Sequence, residues 1–186
     1  MSICVAAVGI ELPDSAPMAA HLSRLDLLQK YIDRKPKAIG RLYAEHEVYP
    51  PELGIELPPV YAYVTSLTEV TLLHMAVEWG DLPLATWLLN QGADVNATAG
   101  VDEQGFGGWT PIYHGLVTLR VPRHQRDLID LLLSRGADVD VTASIRKPLA
   151  DEPPHDYVEY RDAPLEYARQ FVYPDLINEA ALEAVS

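Results

Sequence analysis

Apolar residues between positions 71 and 97 have the spacing of two short helices. They fall on one face of each helix, Leu72, Leu73 and Ala76 on the first and Leu82, Leu84, Ala85, Leu88 and Leu89 on the second. Gly80 marks the end of the first helix, and Asp81 is a typical N-cap for the second. Gly92 marks the end of the second helix, because glycine readily adopts a left-handed C′ conformation. The pattern predicts a helix, a tight turn, a second helix and a protruding β-turn loop.

The same pattern occurs twice. TLLHMA at 71–76 leads to LLNQGADVNA at 88–97, and TPIYHG at 110–115 leads to LLSRGADVDV at 132–141. These segments resemble the ankyrin repeat, whose signature runs Thr-Pro-Leu-His-x-Ala, then Leu-Leu and Gly-Ala-Asp-Val-Asn. In that family the motif histidine, here His74, is structural. One such unit cannot bury both faces alone, so the resemblance implies a stack of units.

From the resemblance we expect an all-α ankyrin repeat solenoid of about four helix pairs with long inserted β-turn loops. The whole chain, 1–186, is interpreted as a single domain. Its predicted parts are a degenerate first helix pair at 14–36, an irregular strap at 37–70, regular repeats at 71–97 and 110–141, and a C-terminal capping repeat at 163–186.

Two connections are longer than the repeat requires. Thr71 and Thr110 are 39 residues apart and Thr110 and Ala163 are 53 apart, whereas an ankyrin unit is about 33 residues long. The extra residues enlarge the loop before Thr110 and the segment 142–162. Long loops within a compact domain are usually functional or disordered, and the aromatic residues and prolines here favour order.

The charge is strongly acidic. The chain has 27 acidic and 14 basic residues, a net charge of −13, which argues against nucleic acids and anionic membranes as partners. From Leu42 to Leu119 there are ten acids and no Lys or Arg, so we expect a protein partner with a basic surface. The single cysteine, Cys4, excludes an intramolecular disulfide, and with no secretory signal or apolar span we expect a cytoplasmic protein.

No motif in the sequence predicts catalysis. The six histidines lack metal-ligand spacing, and there is no nucleophile elbow, phosphate loop or dinucleotide fingerprint. We therefore expect a protein that is not an enzyme and that has no cofactor and no metal.

The predicted partner-binding surface combines the concave face with the two long loops. In ankyrin repeats the residues just before the glycine that ends the first helix line the concave face, and exposed aromatic residues are favoured as binding anchors. The predicted residues are Glu78, Trp79, Gln104, Phe106, Trp109, Thr118, Arg146, Tyr157 and Phe171.

Two functions remain open at this point, and a third, a regulatory subunit or assembly scaffold, cannot be separated from the first by sequence. The first is a non-enzymatic protein–protein interaction module, monomeric when free. It includes an immunity protein that blocks a toxin, by analogy with some bacterial ankyrin proteins. The alternative is a small-molecule binder or enzyme with a site built from the inserted loops, including Arg146, Lys147, His155, Tyr157, Tyr160 and Arg161. A deep pocket that joins several of these residues to Glu78 and His114 would favour the alternative.

Overall fold

The computed structural model describes residues 14–50, 65–118, 126–149 and 156–186. The described residues form nine α-helices and two β-strands, with short 3-10 helices at Pro36–Gly40 and Pro174–Leu176. In chain order the elements are α1 (Ala16–His21), α2 (Leu25–Arg34), α3 (Glu45–Val48), α4 (Leu72–Glu78), α5 (Leu82–Asn90), α6 (Pro111–Leu116), α7 (Asp127–Ser134), β1 (Ala143–Pro148), β2 (Tyr157–Asp162), α8 (Pro164–Arg169) and α9 (Glu179–Val185).

Eight of the helices in the described residues form pairs that pack in chain order. The pairs are α1 with α2, α4 with α5, α6 with α7 and α8 with α9, and the first helices of successive pairs contact one another. The shared core lies between them, because α4 and α6 are buried on every side. None of the described helices is long and apolar enough to cross a membrane.

The first regular pair has the capping residues that the sequence predicts. The Asp81 carboxylate accepts the Leu84 N–H at 2.9 Å and begins α5. Gly80 and Gly92 have φ values of +69° and +89°, the left-handed conformation that ends each helix. His74 is structural, as predicted. Its Nδ1 accepts the Thr71 N–H at 3.2 Å, and its Nε2 donates to a backbone carbonyl.

The prediction of an all-α fold is wrong, because the segment after the second regular repeat forms a β-hairpin. β1 and β2 pair antiparallel over six residues, from Ala143 opposite Asp162 to Pro148 opposite Tyr157. β1 alternates between buried and half-buried residues, so one face of the hairpin packs on the helices and the other is turned toward solvent. A repeat pattern defines helices only, and it does not predict this strand pairing.

One tyrosine holds the base of the hairpin closed. Tyr113 occupies the position where the motif has histidine, and its hydroxyl lies 2.7 Å from the carbonyl oxygens of both Val141 and Asp162. Because the hydroxyl contacts Val141, just before β1, and Asp162, the last residue of β2, the insertion begins and ends at one point on α6.

The predicted strap at 37–70 is only partly described. It contains α3 and an isolated bridge between Tyr43 and Val70, with N–H to C=O distances of 2.8 and 3.1 Å in the two directions. The remainder, residues 51–64, lies outside the described residues, as does His155.

Candidate functional site

The enlarged loop before Thr110 docks onto the hairpin. Gly107 pairs with Ser144 in both directions, at N–O distances of 2.7 and 3.1 Å. Gly107 has a φ of +142°, and a Cβ there would lie 2.0 Å from the Gly100 carbonyl oxygen. Only glycine permits this approach, so Gly107 allows the two arms of the loop to lie against each other while its own N–H and C=O bond β1.

A tight turn holds the tip of this loop. One carboxylate oxygen of Asp102 accepts the N–H groups of Gln104 and Phe106, at 2.8 and 2.9 Å. The Asp102 N–H in turn donates to the Phe106 carbonyl at 2.8 Å. These three bonds define the direction in which the side chains of Gln104 and Phe106 leave the loop.

Four of the predicted site residues meet where the loop and the hairpin join. The guanidinium of Arg146 lies 3.8 Å from the centre of the Phe106 ring and 5.5 Å from that of Tyr157. It also donates to the side-chain oxygen of Gln104 and, at 3.1 Å, to Glu159. We call Gln104, Phe106, Arg146 and Tyr157 the loop cluster.

The loop cluster is accessible and ordered in advance. Tyr157 is 51% exposed and the Arg146 side chain 32%. Val101, 63% exposed, lies at the foot of the same loop. Arginine and aromatic side chains dominate the energetic centres of protein interfaces. Here stacking fixes the rotamer of the arginine before any partner binds, which reduces the entropy lost on binding.

The opposite face of β1 holds a charge inside the protein. Lys147 follows Arg146 on β1, so its side chain lies on the other face of the strand. It is only 2% exposed, with its ammonium 5.9 Å from the centre of the Phe171 ring. Burial lowers the pKa of Lys147 to about 7, an effect that the nearby carboxylate of Glu78 opposes. The hairpin therefore presents one cation outward and places the next against the helices.

Glu78 is buried as well, and it is tied to α6. Its carboxylate accepts a hydrogen bond from His114 Nδ1 at 2.9 Å. Burial lowers the pKa of His114, so the ring is neutral. In the part of the chain that the structure describes, His114 Nε2 has no hydrogen-bond partner.

The other predicted site residues lie on or beneath the inner helices. Trp109, Thr118 and Phe171 are buried. Trp79 is half-buried, and its ring lies against His21 with the centroids 4.0 Å apart and the ring planes tilted by 31°. Among the described residues, the end of α1 therefore covers part of this tryptophan. The structure thus separates the nine residues into the accessible loop cluster and an inner group that packs with the core.

The described residues of the inserted segment lie on two opposite faces of the hairpin and do not converge on one chemical site. Arg146, Tyr157 and Arg161 lie on the outer face of the hairpin, whereas Lys147 and Tyr160 lie on its buried face. Within the described ranges, no group of three or more His, Cys, Asp or Glu side chains is arranged to hold a metal ion. Glu159 and Tyr113 are not among the predicted site residues. The only signal for Tyr113 is its departure from the repeat motif.

Comparison with known proteins identifies one element of the chain. Residues 69–99, which include α4 and α5, match the family model of the ankyrin repeat. No curated protein sequence matches the chain significantly.

Proposed function

We propose that this chain, a member of the ankyrin repeat family, is a non-enzymatic binding module that contacts its protein partner through the loop cluster. Ankyrin repeats are protein–protein interaction modules, and stacked repeats present extended surfaces for that purpose. The proposal concerns which surface is used and what kind of partner it fits.

The observation that carries the proposal is the stacked Arg146. Its guanidinium contacts Phe106, which comes from a different loop, and Tyr157, which lies on the paired strand. Two insertions that are separate in sequence thus form one accessible aromatic and cationic patch. Such a patch suits the desolvated centre of an interface, where truncating an anchor weakens binding about thirtyfold or more.

Charge supports a partner with a basic surface. The net charge of −13 makes the field of the molecule attractive to cations. Exposed acids surround the loop cluster: Asp102, Glu103, Asp156 and Glu159. Screening at physiological salt limits this field to about 8 Å, so charge speeds encounter while the aromatic anchors retain the partner.

The test begins with the partner that co-purifies with the tagged protein from its native host. Its affinity is then measured for the wild type and for Phe106→Ala and Tyr157→Ala, with circular dichroism to confirm the fold. We expect each variant to bind about thirtyfold more weakly. The control is Arg126→Ala, at the N-cap of α7. Arg126 is an exposed residue that pairs with Asp130 at 2.8 Å and lies outside the loop cluster, so its loss should leave the affinity unchanged.

Unchanged affinity in both folded variants would place the interface elsewhere and refute the proposal. Higher salt should mainly slow association, because charge acts on the encounter rate. The proposal extends to a cytoplasmic protein that is monomeric when free, and an immunity protein that blocks a basic toxin is the specific role it includes. A co-purified partner without toxic activity in the host would exclude that role but leave the binding site intact.

A further inference from the structure

Among the described residues, one edge of the hairpin has no bonded neighbour. Ser144 uses both its N–H and its C=O to bond Gly107, so these groups point away from β2. Its opposite residue on β2 is Arg161. In an antiparallel ladder, a residue pair that does not exchange hydrogen bonds directs the backbone groups of both residues outward. The N–H and C=O of Arg161 therefore point to the outer edge of β2.

The backbone groups of Glu159, two residues before Arg161 on β2, point to the same edge. Ladder pairs alternate between bonded and non-bonded, so the pair of Arg146 with Glu159 matches that of Ser144 with Arg161. Glu159 and Arg161 thus direct two N–H and two C=O groups to the same edge. In the described residues no backbone or side-chain group bonds to these four, and both residues are exposed.

The two edges of the hairpin differ in how they are protected. The outer edge of β1 is covered at Ser144 by the loop, and β1 ends at Pro148, which has no N–H. β2 reads YVEYRD, without proline, lysine or a bulge in its register. Natural edge strands carry such features, or charged side chains, to limit pairing with another chain. On β2 only charges are present, among them Glu159 and Arg161, so its backbone groups stay available and the charges restrict which segment can pair.

We propose that the outer edge of β2 receives an extended segment of the partner protein, which adds to the hairpin as a third, antiparallel strand. This inference rests on the proposed function, since the edge borders the loop cluster at Tyr157. Backbone bonds to Glu159 and Arg161 supply the affinity, and their side chains select the sequence. A base must lie opposite Glu159 and an acid opposite Arg161. The partner segment therefore carries an acid and, two residues later, a base.

The probe is a capped heptapeptide, Thr-Val-Glu-Val-Lys-Val-Thr, added at millimolar concentration to isotope-labelled wild-type protein. Amide NMR should show the largest shifts at Glu159 and Arg161, together with slower solvent exchange of these two amides. The control is the charge-swapped peptide, Thr-Val-Lys-Val-Glu-Val-Thr, which has the same net charge. It places like charges opposite both residues and should bind about fivefold more weakly. A peptide N-methylated at its Glu and Lys should not bind, because it lacks the necessary N–H groups.

Three results would overturn the proposal: no change at these two amides, equal binding of the N-methylated peptide, or slow exchange in the protein alone that increases with its concentration. The last would assign the edge to a second copy of the chain. Failure here would leave the proposed function standing if Tyr157→Ala still weakened partner binding. If the peptide added to the edge but Phe106→Ala and Tyr157→Ala both left partner binding unchanged, the edge site would stand and the proposed function would be refuted.

Discussion

Acid should weaken this fold well before its carboxylates titrate. His74 and His114 are fully buried, and burial is the main cause that lowers each pKa from 6.5 to about 3. Protonation of His74 at Nδ1 would break the bond from the Thr71 N–H. Protonation of His114 would add an N–H at Nε2, for which the described residues offer no acceptor.

The sign and size of the effect follow from proton linkage. Because the folded pKa values lie below the unfolded ones, the unfolded state binds more protons between about pH 3 and pH 6.5, and stability falls as the pH falls through that window. pH 5 is about 1.5 units below the unfolded pKa of each histidine. This difference lowers the free energy of unfolding by about 2 kcal/mol per histidine. Both together amount to about 4 kcal/mol, a large part of the 5–15 kcal/mol typical of a folded domain.

The assay is urea unfolding at pH 7, 6 and 5, followed by circular dichroism. A loss of about 4 kcal/mol lowers the midpoint by about 2 M urea if the slope is unchanged. His46 is exposed, so the control variant His46→Asn should show the same dependence on pH. NMR should show that the rings of His74 and His114 do not titrate above pH 5. Equal midpoints at pH 7 and pH 5 would refute the reasoning.

Three substitutions test other parts of the structure. Tyr113→Phe removes the hydroxyl that contacts both ends of the insertion; it should lower the free energy of unfolding by about 1–2 kcal/mol and speed amide exchange in the hairpin, and unchanged exchange would contradict this role. Gly107→Ala should lower the melting temperature more than Gly105→Ala. Both have positive φ, but a Cβ meets backbone only at Gly107; equal effects would mean that the loop moves freely. Leu88→Asp places a charge in the core, where desolvation costs several kcal/mol, and should unfold the protein; a native circular dichroism spectrum would contradict this.

The first regular repeat could be predicted because its signals are local. Asp81, Gly80 and Gly92 act on their own helix ends, and the apolar faces repeat within a few residues. The hairpin could not be predicted in this way, because its partners are distant in sequence. β1 contacts Gly107 in the preceding loop, and Lys147 on its buried face lies against the Phe171 ring. Such pairings leave no periodic signal in a segment of only six residues.

About half of the candidate site could be predicted from the sequence. Loop length and aromatic content identified both inserted segments, but not that Arg146 lies between Phe106 and Tyr157. Chemical type alone misjudges exposure: Trp109 and Phe171 have the composition of binding anchors and are buried in the core. Which side of a strand a residue occupies depends on what packs beneath it, as the contrast of Arg146 with Lys147 shows.

Because the Tyr113 hydroxyl joins both ends of the insertion, the outer part of the hairpin can be exchanged as a unit. Both ends meet at one hydroxyl on α6, so a change beyond the buried residues of β1 and β2 leaves the two points of attachment and the packed face in place. Lengthening a loop with fixed ends costs only about 0.6 kcal/mol per doubling. An evolving lineage or a protein engineer can therefore exchange the hairpin tip for another recognition element and keep the scaffold, which makes this tyrosine the natural boundary for grafting new specificities.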